Sequence, residues 1–443
     1  MTRIGPERQH PRITSWTSRR TRARSLVVAA AAVLVSATAC SSTQPADAAN
    51  PDLTVAAFNP FSGNDGSFGP EMWAGCEAAV TAINAAGGVL GHKVDCMAVD
   101  TEGNPAFAVS AAAKMLATTP HLLGVLGPSS DEADATAPLI SAAKVPMFAD
   151  TGEESFDHNK LPYFWRLVPA DDVRGYAMAL YAKQKGYLRA AAVFGNDVGG
   201  SQTGVPTLLK GYSEVGGQMV VNQKITLGQT SYQSQVQQLI AEKPQVIFTE
   251  TSPQANATYL AELQQLGHLI PVIGTDVTIQ PSWFNAMAES IGKPAVTKYF
   301  VAESPYAPPS GPGWTVFNKD LLASPSVPKP AQWSTDSYTM SYYDSVLLMA
   351  LAATATNSTS PSVWNATIPS LTTQGAVVVH TYAEGLAALK AHKKIDYVGA
   401  TGIIDFNQWH NSGGGFEIGA YDSQGNLNLV DQISAAQLAP LIK

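Results

Sequence analysis

The feature that most constrains this chain is an alternation: short β-branched runs separated by amphipathic stretches of helical period. Leu53 to Phe58 reads as a strand. A glycine-rich turn follows, then a helix from about Pro70 to Ala86, which Gly87-Gly88 ends by supplying positive φ at its C-terminus. The next segments read as a strand from His92 to Val99, a helix from Ala106 to Ala117, a strand from Leu122 to Leu126, a helix from Glu132 to Ala143 and a strand from Pro146 to Ala149. Such a series forces parallel strands with helices on both faces. After Phe164 to Pro169 it begins again. Asp171 to Lys185 is predicted helical with an acidic first turn. Strands are then predicted at 190–194, 218–225, 245–249 and 272–274, with helices at 203–215, 232–241 and 254–266 between them. Two separate series imply two lobes. Ser304 to Pro330 is Pro-rich and reads as a crossover plus surface loop. A long apolar helix is expected at about 335–355, and late strands at 403–406 and 416–421.

The N-terminus suggests a compartment. Arg19, Arg20, Arg22 and Arg24 precede the apolar run Ser25 to Ala39, which is short for a bilayer span and ends in small residues. Residues 1–39 are therefore expected to be an export signal. Cys40 follows directly, and Ala37-Thr38-Ala39-Cys40 resembles a bacterial lipobox, with Ala37 where Leu is usual. Lipidation of Cys40 is expected, with residues 40–51 as anchor and flexible tether. The leader holds seven Arg and one acid, so of 27 Lys+Arg and 35 Asp+Glu the remainder keeps 20 and 34, a net charge of −14. Such a surface repels nucleic acid and anionic lipid. An apolar content of 45% argues against disorder. The other two cysteines, Cys76 and Cys96, would meet an oxidising compartment. A disulfide is expected there, two buried thiols being the alternative.

Several blocks resemble the periplasmic binding protein type I family, in its leucine/isoleucine/valine-binding branch of ABC-transporter receptors. They are Phe61-Ser62-Gly63, the run Asn84-Ala85-Ala86-Gly87-Gly88-Val89-Leu90-Gly91, Leu126-Gly127-Pro128-Ser129-Ser130, Phe164-Trp165-Arg166-Leu167-Val168-Pro169 and Gly402-Ile403-Ile404-Asp405-Phe406. The likeness runs from about residue 52 to 430. It implies an α/β fold of two Rossmann-like lobes joined by a three-strand hinge. Lobe one would comprise 52–167 plus 303–398, and lobe two 168–302 plus 399–443. It further implies a binding protein rather than an enzyme, with no cofactor. The ligand would be a branched-chain or other apolar amino acid held between the lobes. ABC permease subunits would be the partners, and the chain a monomer outside the cell, tethered by its lipid.

Ligands of open α/β sheets bind beyond the carboxyl ends of the strands. Ser129 and Ser130 stand there at a helix start, where hydroxyls and free N–H groups suit a carboxylate. N-capping is their other reading. Asp150, Thr151 and Gly152 fall in the family's second contact loop. The resemblance puts Asp276, in Ile273-Gly274-Thr275-Asp276, against a ligand α-ammonium, and makes Phe68 an aromatic lid. Glu250 and Thr251 follow another lobe-two strand. The block Asn196-Asp197-Val198-Gly199-Gly200-Ser201, whose Asn196 is a further candidate ligand contact, departs from the family, which often carries Tyr-Gly there. Amides, urea and small carboxylates therefore stay open as ligands, as does a sensory role for the same fold. Tyr342, Tyr343, Asp344, Trp364 and Trp409 read as packing aromatics and their neighbours. Gly413-Gly414-Gly415 reads as a hairpin turn. The chain lacks GxSxG, HExxH and Walker A patterns, so an exported hydrolase is the remote alternative, and its eight His are scattered without metal-ligand spacing.

Overall fold

Strands buried on both faces need a continuous apolar run, and the first strand, β1 (Leu53–Asn59), is buried along almost its whole length. In the computed structural model, residues 50–441 are described except 64, 197, 198, 308 and 439. The expected leader and Cys40 lie outside the described residues. The first sheet is parallel, in the order β2-β1-β3-β4-β5, with β2 (Val94–Asp100), β3 (Leu122–Leu126), β4 (Met147–Ala149) and β5 (Phe164–Arg166). The second contains β6 (Arg189–Gly195), β7 (Gln218–Ile225), β8 (Val246–Glu250), β9 (Val272–Gly274) and β10 (Phe300–Tyr306). A small sheet joins β11 (Val377–Val379), β12 (Ile395–Gly399) and β13 (Gly402–Ile403). The last two strands, β14 (Gly415–Tyr421) and β15 (Leu427–Ile433), extend the second sheet to the order β15-β14-β10-β9-β8-β6-β7. The chain is thus a mixed α/β fold of two lobes, each built on a largely parallel sheet.

The helix Phe68–Ala85 stops where Gly88 takes φ +75°, and a Cβ on Gly88 would meet the His92 carbonyl oxygen at 2.0 Å. Only glycine fits that turn. The helix Ser337–Thr356 is buried continuously from Thr339 to Ala353, so it has no polar face and forms the centre of the first lobe's core. Its Asp344 is fully buried and accepts from the Tyr397 hydroxyl (2.7 Å), Ala400 N (2.8 Å), Thr401 N (2.9 Å) and Thr401 Oγ1 (2.6 Å). Tyr342, Tyr343 and Trp364 are buried in the same core. Half-buried Trp409 stands edge-on to His158, 4.3 Å between centroids. The Cys76 and Cys96 sulfurs are bonded, tying the helix Phe68–Ala85 to β2.

Several expectations change. The Ser304–Pro330 stretch is not a loop: it contains the end of β10 and the helix Gly311–Ala323. Glu303–Tyr306, expected in lobe one, pair with β14, because that antiparallel partner continues the ladder after β9 ends opposite Ala302. Conversely, Ala400 and Ile404, expected in lobe two, are buried in the first lobe's core, and β13 covers only Gly402–Ile403 of the strand expected at 403–406. The hairpin near the end turns at Asn407–Asn411, where Phe406 bridges Ser412, and not at Gly413–Gly415, which leads into β14.

Candidate ligand-binding site

Each parallel sheet reverses its strand order once, between β1 and β3 in one lobe and between β6 and β8 in the other. Helices leave such a switch point in opposite directions and open a crevice at the strands' carboxyl ends. A solvent-open cleft of about 720 Å³ lies there, lined from both lobes.

The first lobe contributes Phe68, Ser129, Ser130, Asp150 and Gly152. Phe68 is half-buried and stands edge-on to Tyr338, 6.3 Å between centroids. Ser129 precedes the helix Ser130–Ala142 but caps no backbone N–H; its Oγ donates to Glu132 Oε1 at 2.9 Å. The Ser130 hydroxyl donates to Thr151 Oγ1 at 3.3 Å. Thr151 is fully buried behind the wall and supports it without lining the cleft. Gly152 touches the other lobe: its carbonyl accepts from Asp171 N at 2.6 Å, and a Cβ there would fall 2.1 Å from Asp171 Oδ1. Asp65 also lines this side. Burial and the neighbouring Asp131 push its carboxyl up to about 7.

The second lobe contributes Asp171, Arg174, Glu250 and Asp276. Arg174 sits in the first turn of the helix Asp171–Gln184, where the helix dipole disfavours a cation. Carboxylates from four segments offset that. Nη2 lies 2.9 Å from Asp276 Oδ2 and 3.2 Å from Asp171 Oδ1, Nε 3.4 Å from Glu303 Oε2 and Nη1 3.9 Å from Glu250 Oε2. Burial opposes the guanidinium's charge, but Asp171, Asp276 and Glu303 more than compensate and hold it protonated. Burial also raises the acids, to about 6 for Asp171 and about 8 for Glu250, even though Arg174 pulls both down. Glu303 is driven well above its ordinary range by the same burial. The Tyr338 hydroxyl, from the first lobe's central helix, donates to Asp276 Oδ2 at 2.5 Å and so bridges the lobes.

The structure therefore gathers Phe68, Ser129, Ser130, Asp150, Gly152, Glu250 and Asp276 around one cleft. Thr251 is buried and does not line it. Nor does Asn196: it is exposed, and its side chain donates to Thr226 Oγ1 at 3.4 Å. Its neighbours Asp197 and Val198 lie outside the described residues. Asp276 was expected to await a ligand ammonium, yet it already holds Arg174 and Tyr338. Arg174 and Tyr338 themselves were missed. An Arg in the first turn of a helix, where the dipole disfavours a cation, is the signal that points to buried acids nearby.

Residues 52–406 match the family model described as periplasmic binding protein. The chain belongs to that family. Among relatives of this periplasmic binding protein, the Leu/Ile/Val-binding protein BraC3 of Rhizobium johnstonii is 26% identical over 245 residues, which cover 55% of this chain and 66% of that protein. A Leu/Ile/Val-binding protein homolog of Brucella melitensis is 42% identical over 67 residues, 15% of this chain and 18% of that one. The chain thus spans less than two thirds of the length of the curated relatives it matches. A branched-chain amino acid transporter substrate-binding protein of Streptococcus pneumoniae, solved with isoleucine, superposes with a TM-score of 0.69 at 16% identity, covering 86% of this chain and 99% of that one. A solute-binding protein of R. palustris solved with 4-hydroxybenzoate gives 0.65 at 18% identity, covering 87% and 97%. At these identities the superpositions establish the periplasmic binding protein type I fold. No helix among the described residues is long and apolar enough to cross a membrane.

Proposed function

We propose that this periplasmic binding protein is the extracytoplasmic receptor of an ABC importer and captures an apolar amino acid, a branched-chain one foremost, between its lobes. The observation that carries the reading is the cleft itself, open at the switch points of both sheets and already bridged by the bond from Tyr338 to Asp276. Ligand docks first on Ser129, Ser130 and the Asp150–Gly152 loop. The second lobe then closes with Asp276, Arg174 and Glu250. Closure is driven only by contacts absent from the open form. Three chain passages serve as the hinge, at 167–170, near Ala307 and across 407–414, where the chain leaves one core for the other sheet. The closed surface is what the permease pair recognises. The protein works as a monomer, tethered through a lipidated Cys40. Relatives named for leucine, isoleucine and valine binding support the ligand class.

Titration of the purified protein with leucine, isoleucine and valine, followed by calorimetry, tests this. The reading predicts saturable binding of one ligand per chain. Folded protein that binds none of the three would refute the ligand class.

A further inference from the structure

A second pocket lies among the chain passages that join the lobes. It is open to solvent, encloses about 400 Å³ and touches all three passages: Leu167 and Pro169 in the first, Pro305 and Ala307 in the second, Ser412 and Gly414 in the third. Its remaining wall includes the start of the first lobe's central helix, with Ser337 and Ser341. Pro169 lines this pocket and the cleft alike, so the two volumes meet at the first passage. The first and third passages are held together here. Ser412 N donates to the Arg166 carbonyl at 2.8 Å and Arg166 N to the His410 carbonyl at 3.0 Å, and a Cβ on Gly414 would stand 3.3 Å from Pro169 Cγ.

Two features point to an occupant. The first is a pair of hydroxyls. Ser337 Oγ donates to the Pro305 carbonyl at 2.6 Å and Thr401 Oγ1 to Asp344 Oδ2 at 2.6 Å, so these two wall residues are satisfied. The hydroxyls of Ser341 and Ser412 have no partner among the described residues, although each residue is only 6% exposed. A nearly buried hydroxyl without a partner costs free energy, and the pocket is the space both residues line. The second feature is charge. Among the described residues the pocket wall contains no Asp, Glu, Lys, Arg or His, whereas the cleft beside it is lined by six acids and Arg174. An ion entering the pocket would exchange water for a wall without a counter-charge. Leu167, Pro169, Ala307 and Ile403 make the rest of that wall apolar.

We propose that this pocket is a second ligand site, distinct from the cleft, for a small neutral molecule with an apolar body and a carboxamide-like group. Such a group accepts from one hydroxyl through its carbonyl oxygen and donates to the other through its N–H. The volume falls in the range of about 300–1,000 Å³ usual for small-molecule pockets. All three passages shift when the lobes move. An occupant fitted to their spacing here therefore favours the arrangement in which Tyr338 is bonded to Asp276, and so tightens binding in the cleft, with the reciprocal effect on its own affinity. That coupling rests on the receptor reading above; the site itself does not.

The probe is benzamide, with benzamidine and benzoate as its cationic and anionic counterparts of the same shape. Calorimetric titration of the full protein, its cleft saturated with isoleucine, should show benzamide binding at least about tenfold more tightly than either ion, since only the ions bring an unpaired charge to the pocket. Saturating benzamide should in turn tighten isoleucine about fivefold, the lower end of ordinary coupling. Ser341→Ala and Ser412→Ala should each weaken benzamide by about two- to tenfold, the loss expected for one neutral hydrogen bond. Ser341→Leu, which fills the pocket from the helix, should abolish its binding. Ser341→Ala removes no bond within the protein and should still bind isoleucine, which shows that it is folded. Equal binding of the three probes, competition between benzamide and isoleucine, or benzamide affinity unchanged in all three variants would overturn the assignment. So would an absence of benzamide binding, which would leave the two hydroxyls to solvent. Isoleucine affinity unchanged by benzamide would overturn the coupling. Failure of isoleucine to bind would count against the receptor reading alone, because the same benzamide titrations of the ligand-free protein and its variants still decide the pocket.

Discussion

Replacing Arg174 by Met keeps most of the side chain's buried stem and removes its charge. The guanidinium stands 2.9–3.9 Å from four carboxylates, of Asp276, Asp171, Glu303 and Glu250. Breaking a buried ion pair by removing one partner typically costs about 3–5 kcal/mol, because the remaining charge stays buried. Burial already keeps Glu250 and Glu303 protonated near neutrality, and without the opposing charge of Arg174 the Asp171 carboxyl, at about 6 in the native protein, keeps its proton to higher pH, so the folded variant holds a proton that the native protein has shed. Each additional proton makes the destabilisation grow by about 1.4 kcal/mol per pH unit. Between pH 5.5 and pH 8 this amounts to about 3 kcal/mol for a single proton. The second lobe's melting transition, followed by differential scanning calorimetry at both pH values, should therefore fall modestly at the lower pH. At the higher pH the drop should be about 6–12 °C larger. An equal drop at both pH values would refute the coupling between Arg174 and its acids.

Other predictions concern the same physics elsewhere. The ligand-free native protein should be less heat-stable at pH 8 than at pH 5.5. Burial raises Glu132 to about 7, Glu153 to about 8 and Glu250 to about 8, so above their unfolded values near 4 the folded state holds protons the unfolded chain has shed, and stability falls as pH climbs through that window; a melting temperature that rises over the same range would contradict this. Tyr338→Phe removes the bridging hydroxyl but keeps the edge contact with Phe68. Since a hydrogen bond to a charged group contributes about 1.5–3 kcal/mol, ligand affinity should fall roughly tenfold or more. The ligand-free protein should also show a larger radius of gyration by X-ray scattering, and an unchanged radius and affinity would remove Tyr338 from closure. Reducing the Cys76–Cys96 bond, which closes a separation of 20 residues, should cost the first lobe about 3 kcal/mol in chemical denaturation, whereas a loss well below 1 kcal/mol would mean the helix and strand are already fixed by packing.

The parallel framework was legible because its strands are buried on both faces and its helices end at residues that can do little else. Leu122–Leu126, Gln218–Ile225 and Val272–Gly274 fall where the β-branched runs put them, and Gly88 ends its helix through a conformation that a Cβ would forbid. The Pro-rich stretch misled for a physical reason. Pro305 is tolerated in β10 because, beyond Ala302, that strand pairs only with β14 and the missing N–H faces no partner on the β9 side. Pro312 lies in the first turn of its helix, where a missing N–H costs nothing. The site was half legible. Positions at the carboxyl ends of β3, β4, β8 and β9 follow from topology alone, and Ser129, Ser130, Asp150, Glu250 and Asp276 all stand there. The charge pattern was not legible. Arg174 meets acids 76, 102 and 129 positions further along the chain, and only the folded sheet edges bring them together. The same is true of Tyr338, hidden in an apolar helix until the second lobe is folded against it.

The most direct test of a receptor that closes on its ligand is X-ray scattering from the purified protein with and without saturating isoleucine. Closure around the cleft predicts a smaller radius of gyration on addition of isoleucine, with half-saturation at the dissociation constant found by calorimetry. Binding without any change in radius would contradict hinge closure, and no response by either method would contradict the amino-acid receptor itself.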